Sequence, residues 1–320
     1  VSTRILFFVG KGGVGKSTNS SLFALKLAGS GKRVLLNSID PAHNLHDIFQ
    51  VPLDSRPKKL ADGLEVMETD LDEWVKRYLK ETERDFRSVY KYQEAFNLHR
   101  YFRTLKYSPG LEEYAVLLAL LDTLRRFNDR DYIVFDTPPT ALTLKFLALP
   151  DVSLLWLREL SQFRELILKK KEIIARIRQG KSKAGKQLDP ILRKIAELVD
   201  LYQGLAELLK DGSSTSTFLV LNPDELSLAE SRLIWKELKR LGISIPYVIL
   251  NKVAPDALTI GGEAAAGKAG AGPDADGFVR RIEKEFPGSR LLIVPLRVGD
   301  QLTGMECLGA VDLPLDVGEV

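Results

Sequence analysis

The sequence predicts an α/β fold: a mainly parallel, helix-flanked sheet of about seven to eight strands, interrupted once by a helical insertion. Three observations predict it. Short apolar runs of strand length alternate with helix-patterned stretches over most of the chain. The first run, residues 5–9, leads directly into Gly10-Lys11-Gly12-Gly13-Val14-Gly15-Lys16-Ser17-Thr18. The alternation fails only between residues 151 and 210, where two amphipathic helical stripes follow each other.

The stretch from Gly10 to Thr18 has the GxxxxGK[ST] spacing of a phosphate-binding loop and lies between a strand and a helix, the context that spacing needs. Its glycines let consecutive backbone N–H groups converge on an anion, and the helix N-terminus behind them adds partial positive charge. Gly10, Gly12, Gly13, Val14, Gly15, Lys16, Ser17 and Thr18 are therefore candidate nucleotide-binding residues. Lys16 would reach the β- and γ-phosphates, and Ser17 would place its hydroxyl on Mg²⁺. The fold class becomes that of a P-loop NTPase, with ATP or ADP and Mg²⁺ as cofactors. Lys11 is not required by this argument. On local grounds it is either a solvated loop lysine or a second charge for the phosphates.

The next strand, residues 33–39, ends in Asp40-Pro41-Ala42-His43-Asn44-Leu45-His46-Asp47. Acids at the C-terminal end of a strand beside a phosphate loop sit where open α/β sheets bind ligands. Asp40 is a candidate for Mg²⁺ or its water shell, and Asp47 for positioning the attacking water. The same residues also suit an Asp-Pro turn and a helix cap. Residues 64–68 read as a strand and 71–106 as helices. Ser108-Pro109-Gly110-Leu111-Glu112-Glu113 opens a helix, and residues 131–135 form a core strand closing on Asp136. An apolar strand that ends in a carboxylate meets the requirement for holding Mg²⁺ at the sheet edge, so Asp136 joins Ser17 and Asp40 as a metal candidate.

In the order KGGVGKST, IDPAHNLHDIF, SPGLEE and DTPPTALTLKFLALP, these motifs resemble the ATPase family of arsenite-pump ATPases and tail-anchored membrane-protein targeting factors. The resemblance runs from about residue 4 to 308. It implies that Lys11 acts across a homodimer on the partner's nucleotide, that Asp40 and Asp47 belong to a first switch with Asp47 as catalytic acid, and that Asp136 opens a second. Lys11, Asp47 and Lys16 are then the catalytic candidates. Pro139, Ala141 and Leu142 depart from the family's usual second-switch sequence, DTAPTGHT. Partition and septum-site ATPases share the extra lysine but not the DPAHNL segment.

Within residues 151–210, Trp156, Leu160, Phe163, Ile167, Ile174 and Ile177 recur at helical spacing, interrupted by Lys169-Lys170-Lys171. Beyond the polar stretch 179–186, a second stripe comprises Leu188, Ile191, Ile195, Leu198, Tyr202, Leu205 and Leu209. Pattern alone allows the core side of a helical hairpin. The resemblance implies a groove for a client transmembrane helix, with Trp156, Leu160, Phe163, Ile167 and Ile174 as candidate lining. The expected division is an ATPase core over 1–150 and 211–320 and an insertion over 151–210. From residue 164 to 194 eleven Lys/Arg face three Asp/Glu, a net of +8 in a chain of net +3. Such a tract suits anionic lipid, an acidic partner or RNA, or is a solvated helix face.

Strands resume at residues 217–223, 247–252 and 290–294, the first two separated by a helix from about 227 to 241. Asn251 lies at the end of the second of these strands, and Pro295 follows the third. The resemblance implies that both meet the adenine. Residues 256–277 are Gly/Ala-rich, and a short helical tail is expected around 302–308.

Composition narrows the function classes. The single cysteine, Cys307, permits no intrachain disulfide and no CxxC, so no zinc is expected. No uninterrupted apolar run of membrane-spanning length and no basic-then-apolar leader stands out, which predicts a cytoplasmic protein, transiently at the membrane surface. Three functions are compatible with the motifs: a dimeric ATP switch delivering tail-anchored segments, with a membrane receptor as a further partner; an arsenite-efflux ATPase subunit; and a partition-type scaffold. Nucleic acid is the least expected partner, because DPAHNL is not the partition pattern.

Overall fold

A computed structural model describes residues 3–89, 108, 110–179, 189–253, 275–296 and 303–309. Several expectations fall outside them: helix beyond residue 89, the linker with Leu188, most of the Gly/Ala-rich segment, and the start of the tail.

The sheet has eight strands: β1 (Arg4–Gly10), β2 (Val34–Ser38), β3 (Lys58–Ala61), β4 (Leu64–Glu68), β5 (Tyr132–Asp136), β6 (Thr215–Leu221), β7 (Tyr247–Val253) and β8 (Arg290–Pro295). Their order is β3-β4-β2-β5-β1-β6-β7-β8, and all neighbours are parallel except the edge pair β3–β4. The edge strand β3 is absent from the sequence reading. It exists because Asp62-Gly63, with Gly63 at φ 77°, closes a two-residue hairpin, and Lys58 and Lys59 keep the free edge charged and exposed.

Helices α1 (Lys16–Gly29) and α2 (Asn44–Phe49) cover one sheet face together with the short α9 (Met305–Gly309). The other face carries α3 (Leu71–Val89), α4 (Leu111–Arg126), α5 (Thr140–Gln179), α6 (Pro190–Lys210), α7 (Glu225–Arg240) and α8 (Ala275–Glu285). Strand alternation explains the two cores. In β1, Ile5, Phe7 and Val9 enter one layer while Leu6 and Phe8 enter the other. Phe8, Phe218 and Tyr247 stack across three adjacent strands at 4.7 and 4.6 Å between ring centroids.

Residue 151, the expected domain boundary, lies inside α5. The helix starts at Thr140 and passes through Pro150. The proline removes one helical hydrogen bond, but Phe146, Leu147, Leu154 and Leu157 are buried on either side of it, and Asp151 pairs with Lys210 at 2.8 Å. The same helix carries an interrupted apolar stretch. The stretch Thr140–Ile174 is long and apolar enough to cross a membrane by length and composition, and a third of its most apolar window is buried in this fold. A search for an unbroken apolar run misses it because Lys145 and Asp151 interrupt the pattern.

The two stripes of the 151–210 region have different fates. In α6, Ile195, Tyr202, Leu205 and Leu209 are buried against the core. In α5, Trp156, Leu160, Phe163 and Ile174 are 48–66% exposed, joined by Val152, Leu155, Leu166, Ile173 and Ile177, while Ile167 is half-buried. Arg164, inside the basic tract, is tied to Asp189 at the start of α6 by two hydrogen bonds of 3.1 and 2.7 Å.

Candidate nucleotide site

The glycine-rich loop links β1 to α1. Gly15 precedes the helix in the left-handed region, at φ 95° and ψ 33°, and the first turn of α1 has neither a side-chain cap nor an acid. The N-terminal N–H groups are thus left for an outside anion. Two adjacent residues at the end of β7 hold the loop. The Asn251 amide donates to Val14 O at 2.7 Å, and the Lys252 ammonium donates to Gly13 O at 2.9 Å. Lys252 sits at φ 59°, a strained conformation for a non-glycine residue, and a Cβ on Gly15 would come within 2.3 Å of the Asn251 amide nitrogen. With two successive carbonyls engaged from below, the loop's N–H groups are the backbone groups left to face a ligand.

A cavity of about 580 Å³ opens over this loop. Of the sequence candidates, Gly12, Gly13, Gly15, Lys16, Ser17 and Thr18 line it, as do Asp40, Asp47, Asn251 and Pro295. Lys252 adds a further polar group to the rim, and Leu22, Ile48, Pro139, Val294 and Leu296 supply apolar wall. Gly10 and Val14 support the loop from within: Val14 is buried and its carbonyl is taken by Asn251. Lys11 does not enter the cavity; its ammonium lies 3.6 Å from Glu230 on α7. Asn251, for which the resemblance implied an adenine contact, lines the cavity and also holds the loop backbone.

Beneath the cavity lies a row of strand ends. Glu68, Ser38, Asp136 and Phe8 are register partners across β4, β2, β5 and β1. Asp136 is fully buried, and one carboxylate oxygen accepts from Ser38 Oγ at 3.2 Å while the other has no partner. Burial pushes its carboxyl up to about 7, and the nearby Asp40 adds to this, against the Ser17 hydroxyl and Lys16, which favour ionisation. Burial also lowers the Lys16 ammonium, partly offset by Asp136 and Asp40. An orphaned carboxylate oxygen beside the Ser17 hydroxyl and the buried Asp40 fits a Mg²⁺ ion, which takes one or two carboxylates plus phosphate oxygens and water. Among the described residues no group of three or more His, Cys, Asp or Glu is arranged to hold a metal ion by itself, and this mode of binding requires none.

Sequence reasoning missed Lys252, Glu230 and Glu68. Lys252 was available as the neighbour of Asn251; the other two become visible only when strand register and helix placement bring them to the site.

Fold and cavity together define a P-loop nucleotide-binding protein of the mainly parallel α/β class. The family model described as anion-transporting ATPase matches residues 3–312, and the chain belongs to that family and is an ATPase. It is 36% identical over 255 residues to the putative arsenical pump-driving ATPase 2 of Aquifex aeolicus, covering 79% of this chain and 81% of that protein. Identity to the putative arsenical pump-driving ATPase 1 of the same organism is 33%, over 79% of this chain and 64% of that longer protein. The ATPase ASNA1 homolog 1 of Paramecium tetraurelia is 29% identical over 78% of this chain and 74% of its own length.

Proposed function

We propose that the chain is an ATP-hydrolysing dimeric switch that binds and delivers hydrophobic tail-anchored membrane segments. The observation that carries this reading is the exposed apolar face of α5. Val152, Leu155, Trp156, Leu160, Phe163 and Leu166 succeed one another at spacings of one to four residues along a helix whose opposite side is built into the core. A contiguous apolar face of that extent marks an interaction surface, and an amphipathic or membrane helix is the partner such a face fits.

In the nucleotide step, the loop N–H groups, the α1 N-terminus and Lys16 hold the phosphates. Ser17, Asp40 and Asp136 would hold Mg²⁺, which would supply charge neutralisation for phosphoryl transfer. Asp47, on the cavity wall, orients water for in-line attack. Lys11 acts, on this reading, between two copies rather than within one. It lies outside its own cavity beside Glu230, and Leu226 and Leu233 are exposed about one turn either side of Glu230 on α7. A second copy facing that surface would cover both leucines and receive Lys11.

The test is co-expression with a tagged protein ending in one transmembrane helix. A soluble complex that ATP releases, and that is lost in a Trp156→Asp, Phe163→Asp variant with intact ATPase activity, supports the reading. Intact protein that captures no such client overturns the cargo assignment. The names of the two Aquifex relatives favour a second reading, an arsenical pump-driving subunit. Soft As(III) takes several thiolates, and this sequence supplies one, Cys307. Arsenite-stimulated hydrolysis that survives Cys307→Ser would establish that reading on other ligands.

A further inference from the structure

We infer that Glu68 is a positioning residue for Asp47, acting through the backbone that carries it. The inference rests on the reading of Asp47 as the residue that orients water. Glu68 ends β4 and is 4% exposed, a carboxylate that the fold has buried without a lysine or arginine beside it among the described contacts. A buried carboxylate needs hydrogen-bond partners to offset its lost hydration. One oxygen accepts from the backbone N–H of His46 at 2.9 Å, and the other lies 4.0 Å from His43 Nδ1.

Those contacts matter because of what α2 lacks. Its N-cap is His43, held at φ 49° and ψ 52°, and His43 makes no side-chain cap bond. His46 is the third residue of the helix, whose N–H an N-cap side chain ordinarily satisfies. Glu68 supplies that acceptor from a different strand. It thereby stabilises the left-handed turn at His43, a conformation that persists in a non-glycine residue only when its surroundings fix it. Asp40 holds the other side of the same turn: its carboxylate accepts from Ala42 N at 3.0 Å and its carbonyl from His43 N at 3.2 Å. Asp47 follows His46 directly and faces the cavity. The turn is therefore fixed at two points, the cavity side by Asp40 and the far side by Glu68. Register links both to the same row of strand ends, because Glu68 pairs with Ser38 and Ser38 with Asp136.

The experiment compares Glu68→Ala, Glu68→Gln and Asp47→Asn in the full chain, measuring kcat, KM for ATP and the affinity for ADP. Glu68→Ala should lower kcat on the order of tenfold to a hundredfold, the usual effect of a small misplacement of a reacting group, with ADP affinity changed less than about threefold. Glu68→Gln keeps an acceptor for His46 N–H and should recover most of the lost kcat, which a role in folding alone would not distinguish from bulk stability unless melting temperature also tracked it. Melting curves of the three variants therefore accompany the kinetics. Adding Glu68→Ala to Asp47→Asn should cost little further turnover. A Glu68→Ala enzyme with unchanged kcat, or one whose kcat and ADP affinity fall together, overturns the inference, as does a full additional loss in the double variant. If Asp47→Asn alone leaves turnover intact, the reading of Asp47 fails instead, and the inference fails with it.

Discussion

Replacing Asp136 by Asn should stabilise the nucleotide- and Mg²⁺-free protein at alkaline pH while abolishing hydrolysis. Burial raises this carboxyl from 3.8 to about 7 in the folded state. Between those values the folded protein holds a proton that the unfolded chain releases, so stability falls as pH rises through the window and levels off above about 7. At about 1.4 kcal/mol per pH unit, the part of the window between pH 5 and pH 7 is on the order of 2–3 kcal/mol. The amide in Asp136→Asn has no such slope. The attraction of Lys16 is already contained in the raised value, so the stability gap should widen by roughly 2–3 kcal/mol between pH 5 and pH 8. Urea unfolding followed by circular dichroism at the two pH values, with metal and nucleotide removed, measures it. A gap that stays constant with pH would refute the argument that the fold keeps an uncompensated carboxylate at the strand end.

Asn251→Ala should weaken ATP-analogue binding about fivefold, the worth of roughly 1 kcal/mol for one buried hydrogen bond to the loop, and Lys252→Ala, whose bond is exposed, should weaken it less; fluorescence titration unchanged in both would show that the two residues do not hold the loop. Gly15→Ala should impair binding further, because the left-handed backbone costs about 1–2 kcal/mol for an L side chain and the added methyl meets Asn251; normal affinity would contradict the loop geometry. Lys11→Ala should lower turnover while leaving nucleotide binding to the monomer intact, and unchanged turnover removes its role between copies. Arg164→Ala should loosen the start of α6 by about 1 kcal/mol, read as faster amide exchange at Ile191 and Leu192, whose N–H groups the Asp189 carboxylate caps; unaltered exchange would mean the ion pair does not order that end.

The parallel strands were legible because each is an apolar run between turn signals, and the loop because glycine, lysine and serine must stand at fixed spacing to hold phosphate. Asp40, Asp47 and Asp136 were legible for a related reason: strand ends beside that loop are where carboxylates become useful. The edge strand β3 was not, since Lys58-Lys59-Leu60-Ala61 has an ordinary polar pattern and forms a strand only because β4 offers a free edge. Periodicity also could not distinguish the two stripes of the 151–210 region. Each repeats every three to four residues, and only packing shows that the α6 stripe closes the core while the α5 stripe stays in solvent. Glu230 and Glu68 meet partners 219 and 22 residues away, so no local motif could mark them, whereas Lys252, whose partner is 239 residues away, was marked only by its neighbour Asn251.

The continuous α5 bears on how nucleotide and apolar face are coupled. The helix begins at Thr140, four residues after Asp136, and spans about 60 Å at 1.5 Å per residue. Its root is pinned: Thr137 Oγ donates to Phe8 O and Thr143 Oγ to Pro138 O, both at 2.6 Å. Phe146, Leu147, Leu154 and Leu157 then bury the next turns in the same core as β1 and β5, and α6 returns through buried Tyr202, Leu205 and Leu209. The Tyr202 hydroxyl shares a 2.5 Å hydrogen bond with Tyr114 of α4. A close-packed interior does not bend continuously, so the apolar face and the nucleotide site form one body over this root. On the proposed reading, a change of nucleotide state cannot open or close the face by flexing α5 within one chain. The change must then lie, on that reading, between two such bodies, with Lys11, which lies beside Glu230 on a helix with exposed Leu226 and Leu233, as the proposed sensor.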